Sequence, residues 1–353
     1  MLLIQDRLRN GGTERQTLLL ARAMRAAGSE AQVITFRPGG SLWESATDLS
    51  PRSLQARDWG LDWYAPGLLA AVQAAAPEVL MAMGRMANCH LGRAISALKP
   101  GAIGIATFRT GKPLPYLYRR SLHAAAAVVA NSTDAAQALK DAYRVPAERI
   151  SVIHNGLSFG TPTPPVGQPQ TRVFLNVGMF RPEKNQAGLI RLMATLPAEP
   201  PWELWLVGEG PERPACERLT QSLGLGGRVK FLGFHSDPSS MYARADVAVH
   251  ASTSEALSNF LIEAQAHGLP VVAGEAQGIA ECFLPGETGW TVPPGDTAAF
   301  GAAVARLRAM GDPQRVQLRS RAVAFARESF DPVRQALAYL ELFGRLRCSS
   351  RGR

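Results

Sequence analysis

Glu255 and Glu263 stand eight positions apart in STSEALSNFLIEAQAHG, residues 252–268. The segment reads as a loop running into a helix: Ser258 or Asn259 can cap a helix that continues through Phe260, Leu261 and Ala264. The first amides of such a helix have no carbonyl partner within it, and the summed peptide dipoles make that end positive, so it suits a phosphate. One carboxylate lies just before this anion site and the other about one turn inside it. Ionised carboxylates are strong acceptors for sugar hydroxyls. The local chemistry is a diphosphate held between two hydroxyl acceptors, which describes a nucleotide sugar. An ordinary capping box with a solvated glutamate has the same pattern over these 17 residues, so the rest of the chain must decide.

Four further segments bear on it. In NVGMFRPEKNQ, residues 176–186, a strand ends at Gly178 and a loop presents Arg181 and Lys184, cations suited to neutralising a diphosphate. In LWLVGEGPE, residues 204–212, Gly208-x-Gly210 follows a strand, but position 213 is Arg where a dinucleotide fingerprint needs a third glycine. This is a tight turn in a nucleotide site, not an NAD site. In RVKFLGF, backbone groups around Leu232 suit a base edge, and the next strand ends at His250, read as a satisfied core histidine. In RNGGTER, residues 9–15, Gly11 and Gly12 open a helix after the first strand and present a second set of first-turn amides.

These residues need a scaffold, and the chain supplies an alternation of short apolar runs with helical segments. Strands are expected at residues 2–5, 31–36, 79–83, 103–107 and 128–130, with helices at 13–27, ended by Gly28, and at 134–143. After the proline-rich stretch TPTPPVGQPQT, residues 161–171, the pattern restarts with RVFLNVG, WELWLVG, VKFLG, DVAVHAS and LPVVAG. This is the signature of parallel sheets covered by helices, here two Rossmann-like doubly wound α/β domains. The expected boundaries are 1–160 and 172–330, a stiff linker at 161–171, and a tail at 331–353. The tail reads as an amphipathic helix through Leu337, Tyr339, Leu340 and Leu342. Ligands of such sheets bind beyond the carboxyl ends of the strands, here in a cleft between the domains.

Composition narrows the class. The chain has 353 residues, 46% of them hydrophobic and 19% charged, as in globular proteins. It has no apolar run of about 18 residues and opens on a short strand instead of a signal peptide, so a cytoplasmic site is expected, at the inner face of the membrane. Four scattered cysteines show no metal spacing. The net charge of +9 is uneven: residues 1–160 carry 18 Lys/Arg against 11 Asp/Glu, the remainder 20 against 18. Arg15, Arg22 and Arg25 share a face of the first helix and Arg119–Arg120 form a second cluster. Such a half suits an anionic partner, a membrane surface or lipid phosphate. Without interleaved aromatics, nucleic acid is not expected.

Together, GGTERQTLLLARAM, VVANSTDAAQALK, ISVIHNGLS, NVGMFRPEKNQ, LWLVGEGPE, VKFLGF, SEALSNFLIEAQAHGLPVV and GIAECFLPGETGWTVPPGD resemble the family-4 retaining glycosyltransferases of the GT-B fold, in order and over nearly the whole length. The resemblance implies transfer of a sugar from a nucleotide diphosphate sugar with retention; a hexose or N-acetylhexosamine carried by UDP is expected, and with no carboxylate cluster or His/Cys metal spacing in the sequence the reaction is expected to need no metal or other cofactor. The charge of the basic half makes a hydroxyl of a lipid-linked or cell-envelope glycan the expected acceptor, with peripheral membrane contact through that half. The resemblance implies that Glu263 accepts from the ribose and Glu255 from the donor sugar. Lys184, joined by Arg181, and the amides around Ser258, Asn259 and Phe260 would hold the diphosphate, near Gly178 and Gly208. Gly11 and Gly12 would approach from the other domain, and the tail helix would return to the N-terminal domain.

Three positions depart from the family pattern. Met179 stands where an arginine usually follows the glycine, Arg109 stands where an acceptor-side histidine is common, and Ser158 replaces the aspartate of HNG-x-D. Arg15 and Arg109 are the acceptor-side candidates. A nucleotide-sugar epimerase and a non-catalytic sugar-nucleotide-binding subunit are the rival readings. A two-lobed solute-binding protein does not account for the glutamates.

Overall fold

A computed structural model describes residues 1–157 and 171–351, with side chains through Cys348. Ser158 and the linker, apart from Thr171, lie outside the described residues. The chain divides into two compact units, Met1–Ser158 with Phe330–Arg353, and Phe159–Ser329.

In chain order the first unit runs β1 (Leu2–Gln5), α1 (Gly12–Ala26), β2 (Gln32–Thr35), β3 (Arg52–Ser53), α2 (Leu68–Ala75), β4 (Val79–Ala82), α3 (Arg85–Ile95), β5 (Ile103–Phe108), α4 (Tyr116–Ala124), β6 (Ala127–Ala130), α5 (Thr133–Asp141) and β7 (Ile150–Val152). Its sheet has the order β3-β2-β1-β4-β5-β6-β7, all parallel. Strands buried on both faces need apolar residues at successive positions. Accordingly, Leu2, Ile4, Leu80 and Val128 pack on one side while Leu3, Met81, Ile105 and Val129 pack on the other.

The second unit runs β8 (Arg172–Val177), α6 (Gln186–Ala194), β9 (Trp202–Val207), α7 (Arg213–Ser222), β10 (Val229–Gly233), α8 (Ser239–Arg244), β11 (Val247–His250), α9 (Asn259–Ala266), β12 (Val271–Gly274), β13 (Gly289–Val292), α10 (Thr297–Ala309) and α11 (Asp312–Ser329). The order is β10-β9-β8-β11-β12-β13, again all parallel. Helices α6, α7, α10 and α11 supply the core on one face, through residues such as Leu189, Cys216, Phe300 and Leu318, while α8 and α9 lie against the sheet's strands as well.

Strands β3, β7 and β13 are absent from the sequence reading. Each is the terminal strand of its sheet's order or short and partly polar, as RS, ISV and GWTV show. A strand covered on one edge loses the unbroken apolar run that marks a central one.

Helix α12 (Pro332–Arg351) belongs to the first unit. Its packed face differs from the one read off the sequence. Ala336, Tyr339, Leu342 and Phe343 are buried, whereas Leu337 is 50% exposed and Leu340 only partly buried. Spacings of three and four follow the helical repeat, and Leu337 lies off that stripe.

Candidate active site

In each sheet the strand order reverses once, between β1 and β4 and between β8 and β11. Loops diverge beyond the carboxyl ends of strands at such a switch point and leave room for a ligand. In the second unit the two loops concerned are residues 178–186 after β8 and 251–258 after β11, which hold Lys184, Arg181, Glu255 and Ser258.

Several bonds fix one loop to the other. Asn185 sits in the left-handed region (φ 50°), accepts from the Gly188 amide to cap α6, and donates to Ala251 O at 3.2 Å. The Thr253 amide donates to Glu183 O at 2.9 Å. Behind them Gly208 (φ 141°) lies so close that an added Cβ would fall 2.0 Å from Gly178 O, and one at Gly210 would fall 2.3 Å from Phe180 O. These glycines seat the 178–186 loop on β9. A Cβ at Gly178 itself meets nothing within 4 Å, so that position is open.

Glu255 and Lys184 have separate ligands in the sequence reading, sugar and phosphate; the structure pairs them with each other. The long lysine stem reaches the carboxylate, whose side chain is 11% exposed against 31% for the lysine. His250 Nε2 also lies 3.1 Å from Glu255 Oε1 and 2.9 Å from Ser252 Oγ. Burial alone would raise the Glu255 pKa, but the His250 hydrogen bond and the Lys184 and His250 charges outweigh it and hold the carboxyl at about 2. His250 is buried as expected of a core histidine, yet its ring supports the candidate carboxylate, and its Nδ1 is buried without a hydrogen-bond partner.

Ser258 occupies the N-cap position of α9, but its side chain makes no capping bond. Its amide donates to Cys282 Sγ at 3.4 Å and the residue is buried; the cap bond expected of its hydroxyl is not made. The first-turn amides of Phe260 and Leu261 therefore receive no side-chain oxygen from the cap residue. Asn259 is the first helical residue and Phe260 is 8% exposed. Glu263, one turn in, accepts from Tyr242 Oη at 2.6 Å, and His267 stacks on the Tyr242 ring at 4.9 Å. Nothing local in the sequence ties Tyr242 or Cys282 to the glutamates.

Arg181 is exposed before a short turn at Pro182–Lys184, and Met179 is 40% exposed. Leu232 is partly buried near the end of β10, its carbonyl 3.1 Å from His235 Nε2, and the Gly208 amide donates to Gly233 O at 2.7 Å.

In the first unit Gly11 is the N-cap of α1 and Gly12 its first residue; a Cβ at Gly11 would meet the Glu14 carboxylate at 2.3 Å. At the same switch point Asp6 accepts from the Met86 and Ala87 amides at 3.1 and 2.7 Å and thereby caps α3 from another element. Burial raises the Asp6 carboxyl to about 6 against the pull of those amides. Arg15 donates to Asn10 Oδ1 at 2.6 and 2.9 Å. Arg109 donates to Asn155 and to Tyr339 Oη, the latter at 3.0 Å, and so ties the HNG loop to α12. Arg22 and Arg25, read as an open basic face, are engaged within the fold: Arg22 pairs with Asp48 at 2.8 Å and Arg25 donates to the carbonyls of Ala31, Asp48 and Leu49.

No described helix is long and apolar enough to cross a membrane. Among the described residues no cluster of three or more His, Cys, Asp or Glu has metal-binding geometry.

The chain matches two family models, "Glycosyltransferase Family 4" over residues 10–159 and "Glycosyl transferases group 1" over residues 165–327. Similar curated relatives include the lipopolysaccharide core biosynthesis glycosyltransferases LpsD and LpsE of Rhizobium meliloti. LpsD is 34% identical over 56% of this chain and 57% of its own length; LpsE is 36% identical over 38% and 39%. The alignments thus span less than two thirds of either relative. Among solved structures, Anabaena HepE in complex with UDP has a TM-score of 0.80 at 24% identity, covering 98% of this chain and 99% of that one. Sucrose-phosphate synthase from Thermosynechococcus elongatus has a TM-score of 0.81 at 22% identity, covering 99% of each. With two parallel doubly wound sheets and the two models matched in order along its length, the chain belongs to glycosyltransferase family 4, of the GT-B architecture.

Proposed function

We propose that this chain moves a hexose or N-acetylhexosamine from a nucleotide diphosphate sugar, with UDP the favoured carrier, to a hydroxyl of a lipid-linked or cell-envelope glycan. The observation that carries this reading is Glu255, a buried carboxylate kept ionised by His250 and Lys184 in the loop before a helix start that its own cap residue leaves uncovered. Support for UDP and for a glycan comes from likeness to HepE, solved with UDP and with UDP-glucose, and to enzymes named for lipopolysaccharide core biosynthesis.

In this reading Glu255 accepts from hydroxyls of the donor sugar and Glu263 from the ribose. Departure of the nucleoside diphosphate builds negative charge on its oxygens. The start of α9, Lys184 and Arg181 offset that charge, and one preorganised donor of this kind contributes about 3–4 kcal/mol. An ammonium has three N–H donors, so the bond from Lys184 to Glu255 leaves two for phosphate oxygens. Cationic residues and helix amides take the place of a metal, and no cofactor is needed. The acceptor oxygen bonds to the anomeric carbon on the face the leaving group vacates, and its proton passes to the departing phosphate, which gives retention.

The reaction belongs in the cytoplasm, at the inner face of the membrane. There the exposed Trp59, Trp63 and Tyr64 of the first unit, 45, 58 and 37% exposed, suit an interfacial contact.

The test is incubation of the purified protein with UDP-hexoses and UDP-N-acetylhexosamines, with and without a lipid-linked or core-oligosaccharide acceptor, in chelator. Expected is acceptor-dependent UDP release and an α-linked product by NMR. A C2 or C4 epimer formed from the donor without acceptor refutes the transferase reading; a β-linked product refutes retention; loss of activity in chelator refutes metal independence.

A further inference from the structure

At the amino ends of the second sheet, opposite Glu255, the molecule holds another concentration of charge. Arg172 opens β8 and Asp246 immediately precedes β11. With Arg308 of α10 and Arg315 and Arg319 of α11 they line a cavity of about 60 Å³. A single water needs about 10–15 Å³ on such a measure, so the space admits one tetrahedral oxyanion.

Four guanidiniums face one lining carboxylate, and that carboxylate is already committed. Asp246 Oδ1 takes Arg172 Nη1 at 2.8 Å and Oδ2 takes the Val173 amide at 2.8 Å. Arg315 donates to Met310 O at 2.8 Å and Arg308 O at 3.1 Å, and Arg319 makes one long bond to His267 O at 3.4 Å. Arg308 has two buried nitrogens, Nε and Nη2, with no hydrogen-bond partner. Buried donors left unpaired are costly, charged ones most of all.

The surroundings sharpen this. Burial holds Arg308, Arg315 and Arg319 below the usual arginine value, and the Arg172 charge adds to it at Arg308 and Arg315. Asp246 opposes this at Arg315 and Arg319, as does Asp312 at Arg315. Arginine nevertheless stays protonated at neutral pH. Phe174, Leu307 and Leu318 form apolar walls, which strengthen any charge interaction inside.

We propose that this cavity is an anion site for a phosphate group, inorganic or the phosphoryl of a small metabolite, separate from the donor site at the other end of the same sheet. Guanidinium forks match phosphate oxygens in pairs, and an occupant there would satisfy Arg308 and relieve the crowding of like charge.

The test is thermal unfolding and calorimetry of the full chain with inorganic phosphate, and separately with glycerol 1-phosphate, at constant ionic strength. Expected is a melting temperature that rises and saturates with phosphate, unchanged in Lys184→Ala and lost in Arg308→Met, with at least a tenfold weaker Kd. Should Arg308→Met not fold, Arg319→Gln must show the same weakening. Binding of both ligands assigns the site to phosphoryl groups; binding of inorganic phosphate alone assigns it to the free ion. The proposal is overturned if no saturating rise occurs or sodium chloride reproduces it. It is also overturned if the rise survives both arginine substitutions or disappears in Lys184→Ala. The first of these is what arginine stems merely packed on apolar surface would give.

Discussion

Removing Lys184 and Glu255 singly and together tests the central feature of the proposed donor site. A contact between unit charges is worth about 4 kcal/mol at an effective dielectric near 20. Desolvation of a carboxylate that is 11% exposed and the partial exposure of Lys184 offset most of it, which leaves a coupling of about 1–3 kcal/mol. Lys184→Met removes one of the two cationic partners of a buried carboxylate and should destabilise by about 2–3 kcal/mol; Glu255→Gln keeps an acceptor oxygen for the buried His250 but leaves the lysine, which water can reach, without a counter-charge, and should cost about 1–2 kcal/mol. The double variant should be less destabilised than the sum, by the coupling energy. Urea unfolding is the assay, since guanidinium salt would screen the pair. The pH dependence adds a second condition. Glu255 has a folded pKa of about 2 against an ordinary 4.5, so its stabilisation is fully present above pH 4.5 and is lost as pH falls toward 2. That difference corresponds to about 3 kcal/mol. The coupling should therefore persist at pH 3.5, where an ordinary glutamate is mostly protonated. A coupling below about 0.5 kcal/mol at pH 7, or one gone by pH 4, refutes the account of Glu255 as a carboxylate fixed by its neighbours.

Three other outcomes are expected. Glu263→Ala should weaken UDP binding by about 10–100-fold in calorimetry, the range of a hydrogen bond to a charged group, and Tyr242→Phe by about fivefold through loss of its 2.6 Å bond to Glu263; unchanged affinity in Glu263→Ala removes the ribose role. Asp6 has the opposite sign to Glu255: its folded pKa of about 6 means the folded state holds its proton more tightly. Stability from this group should fall as pH rises from about 4 to about 6, by up to about 3 kcal/mol. Asp6→Asn should abolish that slope, and an unaltered slope would assign it to another group. For the membrane contact, Trp59→Ser with Trp63→Ser should reduce flotation with anionic vesicles at low and high salt alike; flotation lost in salt and untouched by the substitutions would place the contact on charge alone.

The alternation of elements was legible because strands buried on both faces must be apolar without interruption, and Leu2–Gln5, Val79–Ala82 and Val271–Gly274 are buried at every position. The loops that carry Lys184, Gly208 and Glu255 were legible through residue type at strand ends. What was not legible is every contact that needs the fold to close: Lys184 with Glu255 across 71 positions, Tyr242 with Glu263 across 21, Cys282 under Ser258 across 24. His250 shows the limit well. At the end of an apolar VAVH strand it reads as core, and it is core, but the loop that follows the strand turns back and puts Glu255 Oε1 against its Nε2.

Net charge, in a related way, does not say which cations are paired, because it counts residues and not what they face. Within the first 160 positions Arg22 pairs with Asp48, Arg25 donates to three carbonyls, Arg37 pairs with Asp58 and Asp62, and Arg9 pairs with Asp62, while the surplus of basic over acidic residues remains. The last two contacts order the segment after β3. Its acidic side chains pair with arginines, and Gln55 Nε2 donates to the carbonyls of Leu61 and Tyr64 at 2.9 and 2.7 Å. Trp59, Leu61, Trp63 and Tyr64 stay exposed. Aromatics held out by a satisfied polar framework do not need salt-sensitive charge to engage a partner. If the first unit meets a lipid-linked acceptor, the exposed apolar side chains of this loop offer it a contact that does not depend on charge.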